Sequence, residues 1–339
     1  MDAVSQLLAR HAAALPPRVL YVNPPEQLPR LEGASLWLTD WSKRHRYPSN
    51  IAIHFGDTPP AQVGDTPPAQ AVDLIILNWP KSHSLGQQQL AQLAATQAPG
   101  CRLWLVGEKR SGVATAAKAL ANSRCWQPPV KTDAARHCLQ FSSQLMHQGS
   151  AVTATTTARF SVNSGAGELQ LANLAGVFGE SGLDDGTALL LGQLDNLPVG
   201  PIVDVGCGCG VIGLALAQRG HADGTLGDVN PIGLAASRAN AAANGLQVKV
   251  VASDLLADLP TTPLAVVITN PPFHDGQNTT LAISQQLISE SWQRLLPGGE
   301  LRLVANRHLP YGDYLAAQFG DFTVLAENNR FKVYRAVRR

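Results

Sequence analysis

The chain has 339 residues, of which 45% are hydrophobic and 15% charged, and its formal net charge is +1. This composition is typical of a folded globular protein, and the length predicts two domains, because a single core seldom grows this large. No apolar run of about 18 residues and no basic start followed by an apolar stretch occurs, which argues against a membrane span and a signal peptide. The five cysteines lack the spacing of a disulfide framework, so we predict a cytoplasmic protein.

The charges are distributed unevenly along the chain. Residues 1–150 contain 14 Lys and Arg against 9 Asp and Glu, whereas residues 151–339 contain 12 against 16. The densest basic cluster is Lys43-Arg44-His45-Arg46, and we predict that Lys43, Arg44 and Arg46 contact a polyanion. The alternative is ordinary surface variation and a solvated loop.

The first half contains two strand-like segments that return in the second half. Asp73–Pro80 resembles Ala265–Pro272 at an offset of 192 residues, and Pro99–Val106 resembles Pro297–Val304 at an offset of 198. The nearly constant offset predicts a duplicated domain.

The first copy lacks the features that would bind a cofactor. Its first strand, Arg18–Val22, runs into Asn23-Pro24-Pro25, and no glycine turn lets the backbone approach a ligand. The tandem GDTPPAQ at 56–62 and 64–70 is interpreted as a duplicated loop without chemistry.

The region from Ser150 to Gly167 is rich in Ala, Thr, Ser and Gly and predicts a linker or an exposed hairpin. We therefore expect a degenerate domain over 1–150, a linker over 151–167 and a catalytic domain over 168–339. The first domain is expected to dock RNA.

The second half alternates between strand-like and helix-like segments. The predicted strands are Pro201–Val205, Gly224–Gly227, Val248–Ala252, Leu264–Thr269, Glu300–Ala305 and Phe331–Val337, and the predicted helices are Val211–Gln218, Pro231–Asn244 and Ser284–Leu296. This alternation predicts a parallel α/β sheet with helices on both faces.

A glycine turn follows the first of these strands and opens a helix. Gly206, Gly208 and Gly210 allow a tight turn that brings backbone N–H groups against a ligand. One frame of the turn also fits the dinucleotide fingerprint. Asp204, in the strand before the turn, favours S-adenosylmethionine (AdoMet) instead, because a carboxylate there can face the positive amino acid part of the ligand.

Three further residues are candidates for the same site. Asp228 ends the second strand and can accept hydrogen bonds from both ribose hydroxyls, with a helix N-cap as the alternative. Asp254 follows the third strand, where adenine would lie, and its alternative is a cap for the turn at 255–258. Cys207 lies within the turn, where filling space is a better interpretation than binding a metal. No metal is expected.

The fourth strand ends in Asn270-Pro271-Pro272-Phe273. An exocyclic base amine is a weak nucleophile, so it needs acceptors that take both N–H bonds and turn the lone pair toward the methyl group. The Asn270 side-chain oxygen and the Pro271 carbonyl are suited to this, Pro272 helps to stiffen the turn, and Phe273 can stack on the base. His274 either contacts RNA or caps the next helix.

Several segments of the second half resemble a known family. They are Phe178–Thr187, the glycine turn, Asn270–Gly276, Glu300–Asn306 and Gly320–Arg335. On these segments the chain resembles the ribosomal RNA small subunit methyltransferase C family, closely over 175–339 and more loosely over 1–150. The GDTPPAQ tandem departs from that family but lies in the first half.

The resemblance implies an α/β protein with two tandem Rossmann-like class I methyltransferase domains, the N-terminal one degenerate. It implies methylation of N2 of guanosine 1207 in the 16S rRNA of 30S subunits, with AdoMet as the donor. Independently of the resemblance, we expect a monomer. By the resemblance, Asp204, Gly206 and Gly208 would bind the methionine part of AdoMet, Asp228 would hold its ribose, and Asp254 would lie near its adenine. The guanine base would be received by Asn270, Pro271 and Phe273. The rim of the pocket would be lined by Asp184–Thr187.

Other functions stay open at this point. A sister enzyme that methylates a 23S rRNA guanosine would share the same motifs. Methylation of DNA or protein is a more distant alternative, since such sites usually have Tyr or Trp where this chain has Phe273. A non-catalytic rRNA-binding assembly factor would need neither the glycine turn nor Asn270.

Overall fold

The computed structural model describes residues 1–60, 72–135, 137–221, 223–271 and 277–339, and for residues 277–280 it describes the backbone alone. The chain divides into two compact units, Met1–Thr155 and Thr156–Arg339. Within the segment 151–167, Thr156–Asn163 forms a strand of the second unit. Within the described residues, no helix is both long and apolar enough to cross a membrane.

The first unit is built on a seven-stranded sheet of order β3-β2-β1-β4-β5-β7-β6. Its strands are β1 (Val19–Val22), β2 (Ala34–Leu38), β3 (Ala52–Phe55), β4 (Leu74–Asn78), β5 (Arg102–Glu108), β6 (Val130–Ala135) and β7 (Cys138–Gln144), and its helices are α1 (Ala3–Ala9), α2 (His83–Thr96) and α3 (Val113–Leu120), with short 3-10 turns at Ala12–Ala14, Trp41–Arg46 and Lys109–Ser111.

The second unit begins with a hairpin of β8 (Thr156–Asn163) and β9 (Glu168–Leu174). Its sheet contains β10 (Ile202–Val205), β11 (Gly224–Asp228), β12 (Lys249–Ala252), β13 (Leu264–Thr269), β14 (Leu295–Asn306), β15 (Thr323–Glu327) and β16 (Phe331–Val337), and its helices are α4 (Asp185–Leu191), α5 (Val211–Gln218), α6 (Pro231–Ala243), α7 (Gln277–Arg294) and α8 (Tyr311–Phe319). The strand order β12-β11-β10-β13-β14-β16-β15 repeats that of the first unit, which confirms the predicted duplication.

The prediction of a fully parallel sheet was wrong at one edge. The last strand, β16, runs antiparallel to both β14 and β15. Only a few residues join β15 to β16, and a connection that short can return the chain only in the opposite direction, since a parallel crossover needs a dozen or more residues. The predicted helix Ser284–Leu296 also begins earlier and ends earlier, at Gln277 and Arg294.

The buried strands explain why the sheet is read so clearly from the sequence. All four residues of β10 and all six of β13 are buried, as expected for strands covered on both faces. Val203 and Val205 belong to the core that includes residues of α7 and α8. Because side chains alternate along a strand, Asp204 points to the opposite face, toward α5.

Candidate active site

Three strand ends meet at one edge of the second sheet. Val205 at the end of β10 is in register with Gly227 of β11 on one side and with Thr269 of β13 on the other. The residues at or just beyond these ends are Gly206, Asp228 and Asn270. This is the place where the strand order reverses, and ligands of open α/β sheets bind at such a point, beyond the carboxyl ends of the strands.

The turn after β10 presents bare backbone to the space beyond the sheet. Gly206, Gly208 and Gly210 have φ values of +72°, +54° and +91°, which side chains rarely adopt. The N–H groups of Gly206 and Cys207 donate to the Gly227 carbonyl at 2.8 and 3.0 Å, which fixes the turn against β11. A Cβ added to Gly206 would have no described heavy atom within 4 Å. The turn therefore leaves room for a ligand against its backbone.

Asp228 closes the turn from the neighbouring strand. Its Oδ2 accepts from the Gly208 N–H at 2.7 Å, and its Oδ1 accepts from the Asn230 N–H at 2.8 Å. The N-cap of α6 is Asn230, whose side chain accepts from the Ile232 N–H at 3.0 Å, so Asp228 does not fill the N-cap position. A carboxylate has about four acceptor sites, so these two bonds are compatible with further acceptance from ribose hydroxyls.

Asp204 lies beneath the turn. It is 2% exposed, and its Oδ2 accepts from the Gly213 N–H at 2.8 Å, which holds the start of α5. Its Oδ1 is buried and has no hydrogen-bond partner among the described residues. Burial raises the pKa of Asp204 to about 7, while the bond from Gly213 opposes this shift. Its predicted role toward the methionine part of AdoMet stays a prediction.

The raised pKa of Asp204 makes stability depend on pH. Between pH 3.8 and about pH 7, Asp204 is protonated in the folded protein but ionised in the unfolded chain. Its favourable contribution to the free energy of unfolding is therefore complete below pH 3.8 and is lost as the pH rises through 7. Asp204→Asn keeps an oxygen for Gly213 and removes the titration. We expect the free energy of unfolding of the variant, relative to wild type, to rise by roughly 4 kcal/mol across this range. Urea melts at pH 4, 6 and 8 without AdoMet measure it, and a pH-independent difference would contradict it.

Asn270 has its amide orientation set by two partners on another element. Its Nδ2 donates to Asp184 Oδ2 at 3.1 Å and to Thr187 Oγ1 at 2.8 Å. Its Oδ1 is buried and has no hydrogen-bond partner among the described residues. Pro271 follows and is buried. Asn270 thus has an unpaired acceptor at the strand end, as the proposed chemistry requires.

Three of the predicted site residues, Pro272, Phe273 and His274, lie outside the described residues. Their predicted roles stay predictions.

The other two candidates lie close to the turn or to the strand ends. The Cys207 side chain is buried, with its Sγ 3.6 Å from Ser237 Oγ, and burial raises the pKa of the thiol well above its usual value. Such a thiol fills space under the turn. Asp254 is half-buried and follows β12, and its backbone N–H donates to Asp258 Oδ2 at 3.1 Å. Asp258 therefore caps this turn with its side chain.

The loop from β9 to α4 was not predicted as part of the site from the residues alone. Asn173 Nδ2 donates to the carbonyls of Phe178 and Gly179 at 2.9 and 2.7 Å, and Asn230 Nδ2 donates to the Gly176 carbonyl at 2.7 Å. These side chains hold the loop beside the glycine turn. One sequence feature could have located the start of α4. Asp184 is a preferred N-cap residue and stands three residues before Thr187, and in the structure its side chain caps α4 by accepting from the Thr187 N–H.

The first unit has the same edge with different residues. Val22 at the end of β1 is in register with Trp37 and with Leu77, as Val205 is with Gly227 and Thr269. The Asn23 N–H donates to the Trp37 carbonyl at 3.2 Å, which repeats the bond from Gly206 to Gly227. Trp37 therefore stands where the second unit has Gly227.

By the same register Leu38 takes the place of Asp228, and Asn78 that of Asn270. Leu38 and Trp37 are each 1% exposed. The position of Gly206 is taken by Asn23, whose Nδ2 donates to the Asn78 carbonyl at 3.2 Å and to Gln89 Oε1 at 2.8 Å. Side chains thus fill this edge, and Leu38 stands where the second unit has the carboxylate of Asp228, so the first unit is a degenerate copy.

Comparison with known proteins agrees with this division. The sequence profile of the methyltransferase small domain matches residues 168–335, and that of the methyltransferase small domain N-terminal region matches residues 5–160. Ribosomal RNA small subunit methyltransferase C of Stutzerimonas stutzeri is 37% identical over 344 residues, covering 100% of both chains. The protein of that name from Pseudomonas aeruginosa is 43% identical over 265 residues, covering 78% of each.

A solved structure shares the fold over the whole chain. It is the T. thermophilus 16S rRNA N2 G1207 methyltransferase (RsmC) in complex with AdoMet and guanosine, with a TM-score of 0.82 and 23% sequence identity, covering 100% of this chain and 92% of that one. The full-length identity of 37% to the S. stutzeri protein settles the relationship. The chain belongs to the ribosomal RNA small subunit methyltransferase C family.

Proposed function

We propose that this protein transfers a methyl group from AdoMet to N2 of guanosine 1207 in the 16S rRNA of the 30S subunit. The observation that carries the proposal is that Asn270 Oδ1, just beyond β13 and next to the bare turn at Gly206, is buried and has no hydrogen-bond partner within the part of the chain that the structure describes. A relative with the same fold binds AdoMet and guanosine, as its structure records.

The residues at this edge fit AdoMet. The space beside Gly206 would be filled by any side chain, and Asp228 stands at the end of the adjacent strand, where a ribose can reach it. When bound, AdoMet would supply a methyl group from its sulfonium, with the neutral thioether as the leaving group. We assign the methionine part to the turn with Gly206 and Gly208 and the ribose to Asp228, with adenine near Asp254.

The chain itself orients the nucleophile. The lone pair of the guanine 2-amino group is delocalised into the ring, so attack requires the amino group to turn out of conjugation. Asn270 Oδ1 and the Pro271 carbonyl accept its two N–H bonds, which directs the lone pair toward the methyl group and stabilises the positive charge that develops on N2. Phe273 is proposed to stack on the base, and no metal takes part.

The experiment that tests the function is transfer of tritiated methyl from AdoMet to unmodified 30S and 50S particles, with the product nucleoside identified. We expect label in 30S alone, as N2-methylguanosine at position 1207. Label in 50S alone would show the sister 23S activity instead. Tight binding of 30S without any transfer would show an assembly factor, and either result overturns the proposal.

We further propose that the first unit docks RNA through its basic cluster. Lys43, Arg44 and Arg46 lie on the 3-10 turn Trp41–Arg46 that follows β2. Arg44 stacks over the Trp41 ring at 4.6 Å, Lys43 pairs with Asp40 at 3.0 Å, and Arg46 is exposed. The stacked guanidinium is held in place at little entropic cost, which suits contact with phosphates.

Reversing the charge of Lys43, Arg44 and Arg46 to glutamate is expected to weaken binding of 16S rRNA. The logarithm of the binding constant falls as the logarithm of the salt concentration rises, and each lost phosphate contact should make this slope shallower by about 0.7–0.9. Filter binding at several salt concentrations measures both effects. A matched control reverses three exposed cations elsewhere on the same unit, Lys118, Arg124 and Lys131. Equal loss in the two triple variants would contradict a specific docking role.

We also propose a monomer that works in the cytoplasm. The five cysteines are all free, which supports a reducing compartment. Light scattering coupled to gel filtration tests the oligomeric state.

A further inference from the structure

The side chains of Asp184, Thr187 and Asn270 form a closed hydrogen-bonded group, which we call the amide clamp. Asp184 Oδ2 accepts from the Thr187 N–H at 3.0 Å, from the Thr187 hydroxyl at 3.5 Å and from Asn270 Nδ2 at 3.1 Å. The Thr187 hydroxyl, which donates to Asp184, accepts from Asn270 Nδ2 at 2.8 Å. Both partners of the amide thus act as acceptors.

This arrangement decides which end of the Asn270 amide faces which way. An asparagine amide has a donor end and an acceptor end of nearly the same shape, so geometry alone does not distinguish them. An ionised carboxylate can only accept. If Asn270 turned its oxygen toward Asp184, two acceptors would meet, so the amide must present its nitrogen to the clamp and its oxygen to the site.

The surroundings hold Asp184 in place. A Cβ added to Gly186 would lie 3.0 Å from Asp184 Oδ2 and 3.3 Å from the Phe331 ring, so any side chain here would crowd the carboxylate that glycine leaves in place. Asp184 also caps α4, and the Thr187 N–H of the first turn is its partner. The carboxylate is therefore fixed by the start of a helix packed against β14 and β16.

We propose that Asp184 and Thr187 are positioning residues, which fix the Asn270 amide so that Oδ1 is the atom offered to the guanine 2-amino group. The inference rests on the proposed function and adds a cause for its acceptor geometry. The negative charge beside Nδ2 also polarises the amide and makes Oδ1 a better acceptor for an amino group that becomes positive during transfer. Without the clamp, Asn270 can present its NH2 to the substrate NH2, and donor then meets donor.

The first test exchanges the two side chains that carry the clamp. Asn270→Asp places two carboxylates about 3 Å apart, and like charges at that distance oppose the geometry. Adding Asp184→Asn supplies an amide NH2 that donates to the new carboxylate, which leaves its second oxygen for the substrate. We expect the double variant to transfer methyl to 30S about tenfold faster than Asn270→Asp alone, since a misplaced group costs up to about 100-fold.

The second test reads the acceptor directly by binding. Inosine differs from guanosine only in lacking the 2-amino group. In the presence of S-adenosylhomocysteine (AdoHcy), wild type is expected to prefer guanosine to inosine by about tenfold, the worth of one good hydrogen bond. Asp184→Asn keeps the shape of the side chain and a cap for α4 but removes the group that can only accept, so the Asn270 amide can turn and the preference should shrink toward one. Thr187→Ser keeps the hydroxyl and should keep the preference.

The outcomes separate this inference from the proposed function. If wild type does not methylate 30S, the function itself fails. If wild type is active but the double variant is no faster than Asn270→Asp, with both folded by thermal melting and both binding AdoHcy, the clamp has no positioning role. Equal affinity of wild type for guanosine and inosine, or a preference that persists in Asp184→Asn, would overturn it as well.

Discussion

Asn270→Ala is expected to lower the rate of methyl transfer at least about 10³-fold while AdoHcy binds as tightly as to wild type. Loss of one preorganised donor or acceptor costs about 10²–10³ in other enzymes, and this acceptor also orients the attacking lone pair. Because AdoMet is already an activated donor, orientation is most of what the chain contributes. Single-turnover transfer to 30S measures the rate, and calorimetry with AdoHcy measures the affinity.

The duplicated fold supplies a matched control for this variant. Asn78 is the last residue of β4, and by register it occupies in the first unit the position that Asn270 occupies in the second. Asn78→Ala makes the same chemical change at the equivalent strand end, where the side chains of Asn23 and Gln89 fill the edge. We expect Asn78→Ala to transfer methyl at the normal rate and Asn270→Ala to lose transfer. Transfer by Asn270→Ala within tenfold of wild type would contradict the assigned role.

The elements that could be predicted are those whose pattern lies within one continuous stretch of sequence. Helix α5 and strands β13 and β16 have the bounds that the sequence predicts, because each is a continuous or regularly alternating apolar segment next to a glycine, proline or polar boundary. The direction of β16 relative to its neighbours has no such sequence pattern. Alternating strands look the same whichever way they run, so the antiparallel edge had to come from the structure.

Helix α4, by contrast, could not be predicted from its own residues. Its seven residues are too few to be stable alone, and it is fixed by packing against β14 and β16. The bond from Asn270 to Asp184 joins residues 86 positions apart. Periodicity and turn chemistry extend over a few residues, so no local pattern could place Asp184 beside Asn270. The resemblance placed it at the pocket rim, and the structure adds the contact.

The degenerate first unit shows how the fold can be kept without the open turn and the carboxylate of the second unit. The hydrogen bond that closes the glycine turn, from the residue after β10 to β11, is kept between Asn23 and Trp37 in the first unit. The backbone scaffold therefore survives without glycines. What disappears is the open space and the carboxylate, because Trp37 and Leu38 bury apolar side chains at this edge and add to the core.

Asp228→Ala is expected to weaken binding of AdoHcy by about 100-fold. The carboxylate is proposed to accept from both ribose hydroxyls, and each hydrogen bond to a charged group contributes about 1.5–3 kcal/mol. The same carboxylate holds the N–H groups of Gly208 and Asn230, so its removal can also loosen the turn. Calorimetry with AdoHcy measures the combined loss, and a second ligand is needed to separate the two causes.

A 2′-deoxy analogue of AdoHcy separates them. If Asp228 accepts from the ribose, wild type should bind the deoxy analogue about tenfold more weakly than AdoHcy, and the variant should bind both ligands equally, since the partner of the missing hydroxyl is gone. If Asp228 acts only by holding the turn, the variant should lose affinity for both ligands while keeping the tenfold difference. A persistent difference in Asp228→Ala would therefore assign the ribose to another residue and leave Asp228 as the group that closes the turn.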